Sequence, residues 1–175
     1  MPTSPMFAAQ TFVNKWGKVT INEKATAQTH FIALCALLGV DAPLDVDPTG
    51  AFYRFEKPLT KVGGGAGFAD VWRKDRFAWE YKSVGKYPTL KAAYQQLLMY
   101  KENLDNPPTL VACDIANYEV HVSYTGYETV VRQFTNADLV NAETREFLRL
   151  AMIQPTTIQP ASRPSPFPGR PAQNQ

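Results

Sequence analysis

Residues 67–86 read GFADVWRKDRFAWEYKSVGK, and their spacing decides the fold. FADVW has the β-branched and aromatic content of a strand, Arg73 to Arg76 make a polar turn, and FAWEYKSV alternates as a second strand. Side chains two apart on a strand share a face, so Glu80 and Lys82 point one way and Trp79 and Tyr81 the other. Asp70, on the preceding strand, can stand across from them. Two carboxylates and an ammonium then converge at the middle of a sheet, where acids are depleted and unpaired charge is costly. Hard oxygen ligands suit Mg²⁺, which keeps several waters and takes only one or two protein carboxylates. A neighbouring lysine can orient an attacking water and stabilise charge developing on a phosphoryl group. Taken alone, Glu-x-Lys on a strand fits a solvated ion-pair ladder equally well. The Asp70 spacing, the short turn and the helix that follows shift the balance towards a site.

Outward from this hairpin the period changes twice. Upstream, Ala8 to Trp16 can form a short helix. INEKATAQTHFIALCALLGV, residues 21–40, predicts a longer one, capped by Asn22, ended by Gly39, with Phe31, Leu34, Cys35 and Leu38 facing the core. DAPLDVDPTG reads as a loop and AFYRFEK as a strand. Downstream, LKAAYQQLLMYKENL resumes helical spacing until NPP stops it. TLVACD is apolar enough for a central strand, YEVHVSY follows as another, TVVRQF suits an edge, and ETREFLRLAMI closes the unit as a helix. The order predicts a mixed α/β domain over residues 1–153. Six of the fourteen prolines fall in Pro155 to Gln175, so residues 154–175 read as a disordered tail or linker.

Composition agrees with a single soluble domain: 175 residues, 45% hydrophobic and 19% charged. A net charge of +2 does not advertise nucleic-acid binding, although a small total can hide a polarised surface. The longest apolar run, Phe31 to Val40, is too short for a membrane span, and the N-terminus has no signal-peptide pattern. Cys35 and Cys113 lack CxxC spacing and read as buried free thiols of a cytoplasmic protein.

Asp70 followed after nine residues by Glu80-Tyr81-Lys82 resembles the PD-(D/E)XK nuclease signature. With GGGAGFADVW before it, the stretch is similar to the N-terminal endonuclease domain of MmeI-like type II restriction–modification enzymes. The likeness runs from about Trp16 to Met152. EKATAQTHF resembles that family's Glu-x-x-x-x-Gln pattern, with Glu23 and Gln28 towards the site, and KAAYQQLLMY resembles its next helix, with Gln96 and Tyr100 as a Gln-x-x-x-Tyr pair. The resemblance implies a restriction-endonuclease-like fold, a mixed central sheet flanked by helices. It implies Mg²⁺, with Mn²⁺ as a substitute, held by Asp70, Glu80 and the Tyr81 carbonyl, with Glu23 as an outer ligand. Lys82 would act on the attacking water, Gln96 and Tyr100 would position it or the phosphate, and DNA would be the substrate. Ala69 stands where the motif has its proline. The family's methyltransferase and target-recognition domain do not fit within this chain, and would be joined or bound elsewhere. The rival reading is a catalytically idle DNA-binding or interaction module that keeps the fold.

Basic residues cluster around the proposed site, and Lys61, Arg73 and Lys86 are the expected DNA contacts. DNPP lacks the aromatic of a methyltransferase motif, and GGGAG lacks the Lys-Ser/Thr of a phosphate loop. His30 and His121 have no metal-ligand spacing, and His121 reads as a satisfied sheet histidine.

Overall fold

The strand–turn–strand at the heart of the sequence sits inside a six-stranded sheet. The computed structural model describes residues 2–19, 24–60, 63–83 and 90–158. Strands β1 (Tyr53–Thr60), β2 (Ala66–Arg73), β3 (Phe77–Tyr81), β4 (Thr109–Cys113), β5 (Asn117–Val122) and β6 (Val130–Thr135) lie side by side in that order. All neighbours are antiparallel except β3 and β4, which run parallel. Helix α4 (Lys91–Met99) belongs to the crossover between that pair. The mixed sheet flanked by helices expected from the sequence is the architecture observed.

Helices α1 (Pro5–Trp16), α2 (Lys24–Leu38) and α5 (Ala142–Ile153) supply the larger core, against Tyr53, Val71, Phe77, Trp79, Tyr81 and Tyr118. Phe31 of α2 meets the Trp79 ring edge-on at 5.3 Å. A smaller core on the opposite side joins Trp72, Ala78 and Leu110 to Leu97 of α4 and to Leu104. The Trp72 indole donates to the Leu104 carbonyl at 2.8 Å, so its polar edge is satisfied within apolar surroundings. Alternation along β3 therefore does not separate core from solvent. It sorts residues between two helical layers, and all five β3 residues are buried. Glu80 falls on the α4 side.

Several boundaries differ from the sequence reading, each for a local reason. The expected loop at residues 41–50 holds a short helix, α3 (Pro43–Val46), started by the fixed φ of its first proline. Asp47 follows, accepting from the amides of Phe52 at 2.7 Å and Tyr53 at 2.8 Å and so tying the loop to β1. Burial alone would raise the Asp47 carboxyl, but those amides, that of Ala51 and the Thr49 hydroxyl outweigh it and bring the pKa to about 2. Helix α4 stops at Met99 rather than Leu104. A 3₁₀ turn, Glu102–Leu104, follows, and Asp105 and Asn106 take positive φ (61° and 51°) ahead of the proline pair. Gly39 ends α2 at φ 68°, as its position predicts. The expected helix cap Asn22 lies outside the described residues.

At the C-terminal end the packed unit runs past Ile153. Pro155 is buried in a 3₁₀ turn, Pro155–Thr157, and Ile158 packs against the larger core. Residues 159–175, most of the expected tail, lie outside the described residues. A chain ended at Gln154 should melt roughly 2–4 °C below one ended at Ile158, because two partly or fully buried apolar side chains are worth on the order of 1 kcal/mol. Equal midpoints in calorimetry would show that this turn adds nothing to the fold. No helix among the described residues is long and apolar enough to cross a membrane.

Candidate active site

Strands β2 and β3 pair only at Arg73↔Phe77, Trp72↔Ala78 and Val71↔Trp79. Beyond that point β2 continues with β1 alone, from Lys57↔Ala69 to Thr60↔Ala66. The end of β3 continues with β4, as Glu80↔Ala112 and Tyr81↔Cys113. The sheet thus forks, and Asp70 and Glu80 flank the fork. Asp70 Oδ2 accepts the Tyr81 amide at 2.7 Å, taking over a hydrogen bond that the strand ladder would otherwise supply. N–H and C=O of one strand residue leave by the same edge, so the Tyr81 carbonyl also projects to the fork.

Lys82 keeps the strand's direction, its amide donating to the Cys113 carbonyl at 2.9 Å. Its side chain then falls on the Glu80 face. The ammonium lies 3.2 Å from Glu80 Oε1 and donates to Gln96 Oε1 of α4 at 3.0 Å. The Lys82 side chain is 19% exposed and that of Glu80 10%, so the pair is largely shielded from water. Burial first, and then the negative charge of Asp70, push the Glu80 carboxyl up to about 7, against a smaller downward pull from Lys82. Lys82 alone does not return Glu80 to its ordinary value.

A small cleft beside the fork is lined by Gln28 of α2 together with Glu56, Asp70 and Tyr81. The Tyr81 ring turns to the opposite layer, where its hydroxyl lies 2.7 Å from His30 Nδ1. Tyr100 is the C-cap of α4 and packs, half-buried, against the smaller core. Arg73 is not brought to the site: its guanidinium lies 4.8 Å above the Tyr53 ring, against the larger core. Glu23, Lys61 and Lys86 lie outside the described residues.

Two features escape sequence reasoning. Glu56, half-buried on β1, is bracketed by the pairs Phe55↔Val71 and Lys57↔Ala69, which sets it across from Asp70 with φ 51°. His121 Nε2 lies 2.7 Å from Glu119 Oε1, and its ring stacks on Tyr94 of α4 with centroids 3.5 Å apart. That cluster shares the α4 face with Glu80 and pins the helix carrying Gln96. Its only sequence signal is the two-residue spacing of Glu119 and His121.

Among the described residues no group of three or more His, Cys, Asp and Glu side chains is arranged to hold a metal ion. Two carboxylates with a backbone carbonyl still fit a hard cation that keeps most of its waters. Burial and the Asp70 charge both raise the Glu80 carboxyl, and bound positive charge would offset them.

Without divalent metal, Glu80 makes stability fall with pH. Its folded-state pKa of about 7 exceeds the ordinary 4.5, so its contribution is full below about pH 4.5 and is lost as pH rises through about 7. Glu80→Gln should remove that fall and stabilise the metal-free chain at pH 7.5 by roughly 2–3 kcal/mol. Parallel urea titrations of both chains at pH 5 and 7.5 check it, and equal pH responses would mean that Glu80 ionises normally.

The fold and this constellation define a mixed α/β protein with a carboxylate pair and a positioned lysine at a fork in its sheet. No protein family matches the chain, and no curated protein matches it. Among solved structures it is similar to part of a chain in a cryo-electron microscopy structure of a DrdV–DNA complex, at 17% identity with a TM-score of 0.46. The similarity covers 83% of this chain and 13% of that one.

Proposed function

We propose that this chain is a metal-dependent DNA endonuclease domain of the PD-(D/E)XK type, cleaving phosphodiester bonds within a cytoplasmic restriction–modification system directed at phage DNA. The observation that carries the reading is the fork, where Asp70 and Glu80 flank one opening and Lys82 is held beside them by Gln96. Asp70, Glu80 and the Tyr81 carbonyl would hold Mg²⁺, or Mn²⁺ in its place. When bound, such an ion supplies Lewis-acid polarisation of a phosphoryl oxygen and a nucleophilic water at neutral pH.

The chain's own groups do the rest. The Asp70 bond to the Tyr81 amide fixes β3 where β2 no longer pairs with it. The Lys82 ammonium, shared between Glu80 and Gln96, is placed to orient the attacking water and to offset charge on the phosphoryl oxygens. Methylation and target recognition would belong to a partner or a further domain. The isolated domain would cut without sequence preference.

Incubation of supercoiled plasmid with Mg²⁺, with Mn²⁺ and with EDTA tests the activity. Nicking in the first two and none in the third is expected, whereas no nicking with bound metal would favour the idle module. A melting series on wild type and Asp70→Asn, with and without Mn²⁺, tests the site itself. The wild type should gain roughly 2.7 kcal/mol at a hundredfold excess over the dissociation constant. Asparagine keeps an acceptor for the Tyr81 amide, so the metal-free variant should hold its stability and lose most of that gain. Identical gains in both chains would remove Asp70 from the ligand set.

A further inference from the structure

The end of the sheet opposite the fork carries a second recess. It lies where β3 and β4 begin, between the β2–β3 turn, the segment after α4, the β5–β6 connection and the turn after α5. Arg76, Lys101, Asn106, Ser123, Tyr124 and Thr156 are among its lining residues, and buried Pro155 forms part of the wall. The recess encloses about 1270 Å³, its open mouth included. Strand β3 separates it from Glu80, and at about 3.3 Å per residue this sets the two sites roughly 10–16 Å apart along the strand.

Its lining carries two cations and one acid. Arg76 uses one guanidinium N–H on the Asp75 carbonyl at 3.2 Å and makes no ion pair among the described residues. Lys101 is half-buried, and it too has no carboxylate partner among the described residues. Burial lowers its pKa, so its charge sits partly desolvated and uncompensated. The Tyr124 hydroxyl is shielded from solvent and meets no hydrogen-bond partner among the described residues. Ser123, already 3.3 Å from the Thr129 hydroxyl, and Thr156 add further hydroxyls, and Asp75 is the single acid of the lining. A planar five-donor fork, a point cation and hydroxyl donors around one recess suit a tetrahedral oxyanion.

We infer that this recess binds a small phosphorylated ligand, its phosphoryl group held by Arg76 and Lys101. A duplex seated at the fork approaches the other end of the sheet, so this site is separate from the proposed DNA-cleaving one.

The test melts the full chain in inorganic phosphate and in chloride at matched ionic strength, for wild type, the double variant Arg76→Gln/Lys101→Gln, and Tyr124→Phe. At a tenfold excess over the dissociation constant, phosphate should raise the wild-type midpoint by roughly 3–6 °C. The double variant should lose that rise, and Tyr124→Phe, whose lost hydroxyl is shielded from solvent, should keep it. The same phosphate response in wild type and the double variant overturns the proposal. A second arm titrates a short DNA duplex in EDTA. Unchanged duplex affinity in the double variant is expected, while a loss parallel to that for phosphate would overturn the small-ligand assignment and make the recess part of a DNA surface.

Discussion

Lys82→Ala should slow metal-dependent plasmid nicking about 10²–10³-fold, the scale on which one positioned transition-state donor contributes. The alanine chain should still bind Mn²⁺, because Lys82 supplies no ligand. Its metal-dependent rise in melting temperature should survive, and that pairing of outcomes separates a loss of catalysis from a loss of the site. Lys82→Arg should not restore the rate, since a planar fork cannot occupy the point where a single ammonium is shared between Glu80 and Gln96. Gln96→Ala should fall between wild type and Lys82→Ala, as it frees the lysine without removing it. Undiminished nicking by the alanine variant would take Lys82 out of the mechanism.

The carboxylates and the lysine were legible because period two is local: a strand through residues 77–82 cannot separate Glu80 from Lys82. Asp70 was legible because the turn before β3 is short. The fork was not, since the end of β3 leaves β2 by continuing with β4, as Glu80↔Ala112 and Tyr81↔Cys113, a pairing between residues distant in sequence. Arg73 shows the same limit from the other side. It is near Asp70 in sequence and basic, yet its guanidinium is taken up by the Tyr53 ring. The position of Gln96 over Lys82 needs the crossover to bring α4 back over the sheet, which helical spacing within residues 90–104 does not contain. Only the family resemblance pointed to it. Tyr100 fared less well, because the helix it was expected to share with Gln96 ends one residue before it.

His30 lacks metal-ligand spacing, and its expected effect is on stability. It is fully buried on α2, with Nδ1 2.7 Å from the Tyr81 hydroxyl and Nε2 3.0 Å from the Tyr118 hydroxyl. Burial pushes its pKa down to about 3, so the ring is neutral at pH 7 and one phenol donates to it while the other accepts. His30→Ala opens a cavity beside Trp16, whose ring packs edge-on at 4.9 Å, and leaves both phenols without that partner. The cost should be about 3–5 kcal/mol, a fall of roughly 10 °C or more in the melting midpoint. The pH signature has the opposite sign to that of Glu80. A folded-state pKa below the ordinary 6.5 makes the His30 contribution full above about pH 6.5, and it is lost as pH falls towards about 3. Between about pH 4.5 and 6.5 the wild-type chain therefore sums a rise from His30 and a fall from Glu80. Glu80→Gln should expose the rise, and His30→Ala should expose the fall. Denaturant titrations of the three chains from pH 4.5 to 7.5 read both slopes, and a His30→Ala chain with the wild-type slope would show that the buried imidazole is not the group that titrates on unfolding.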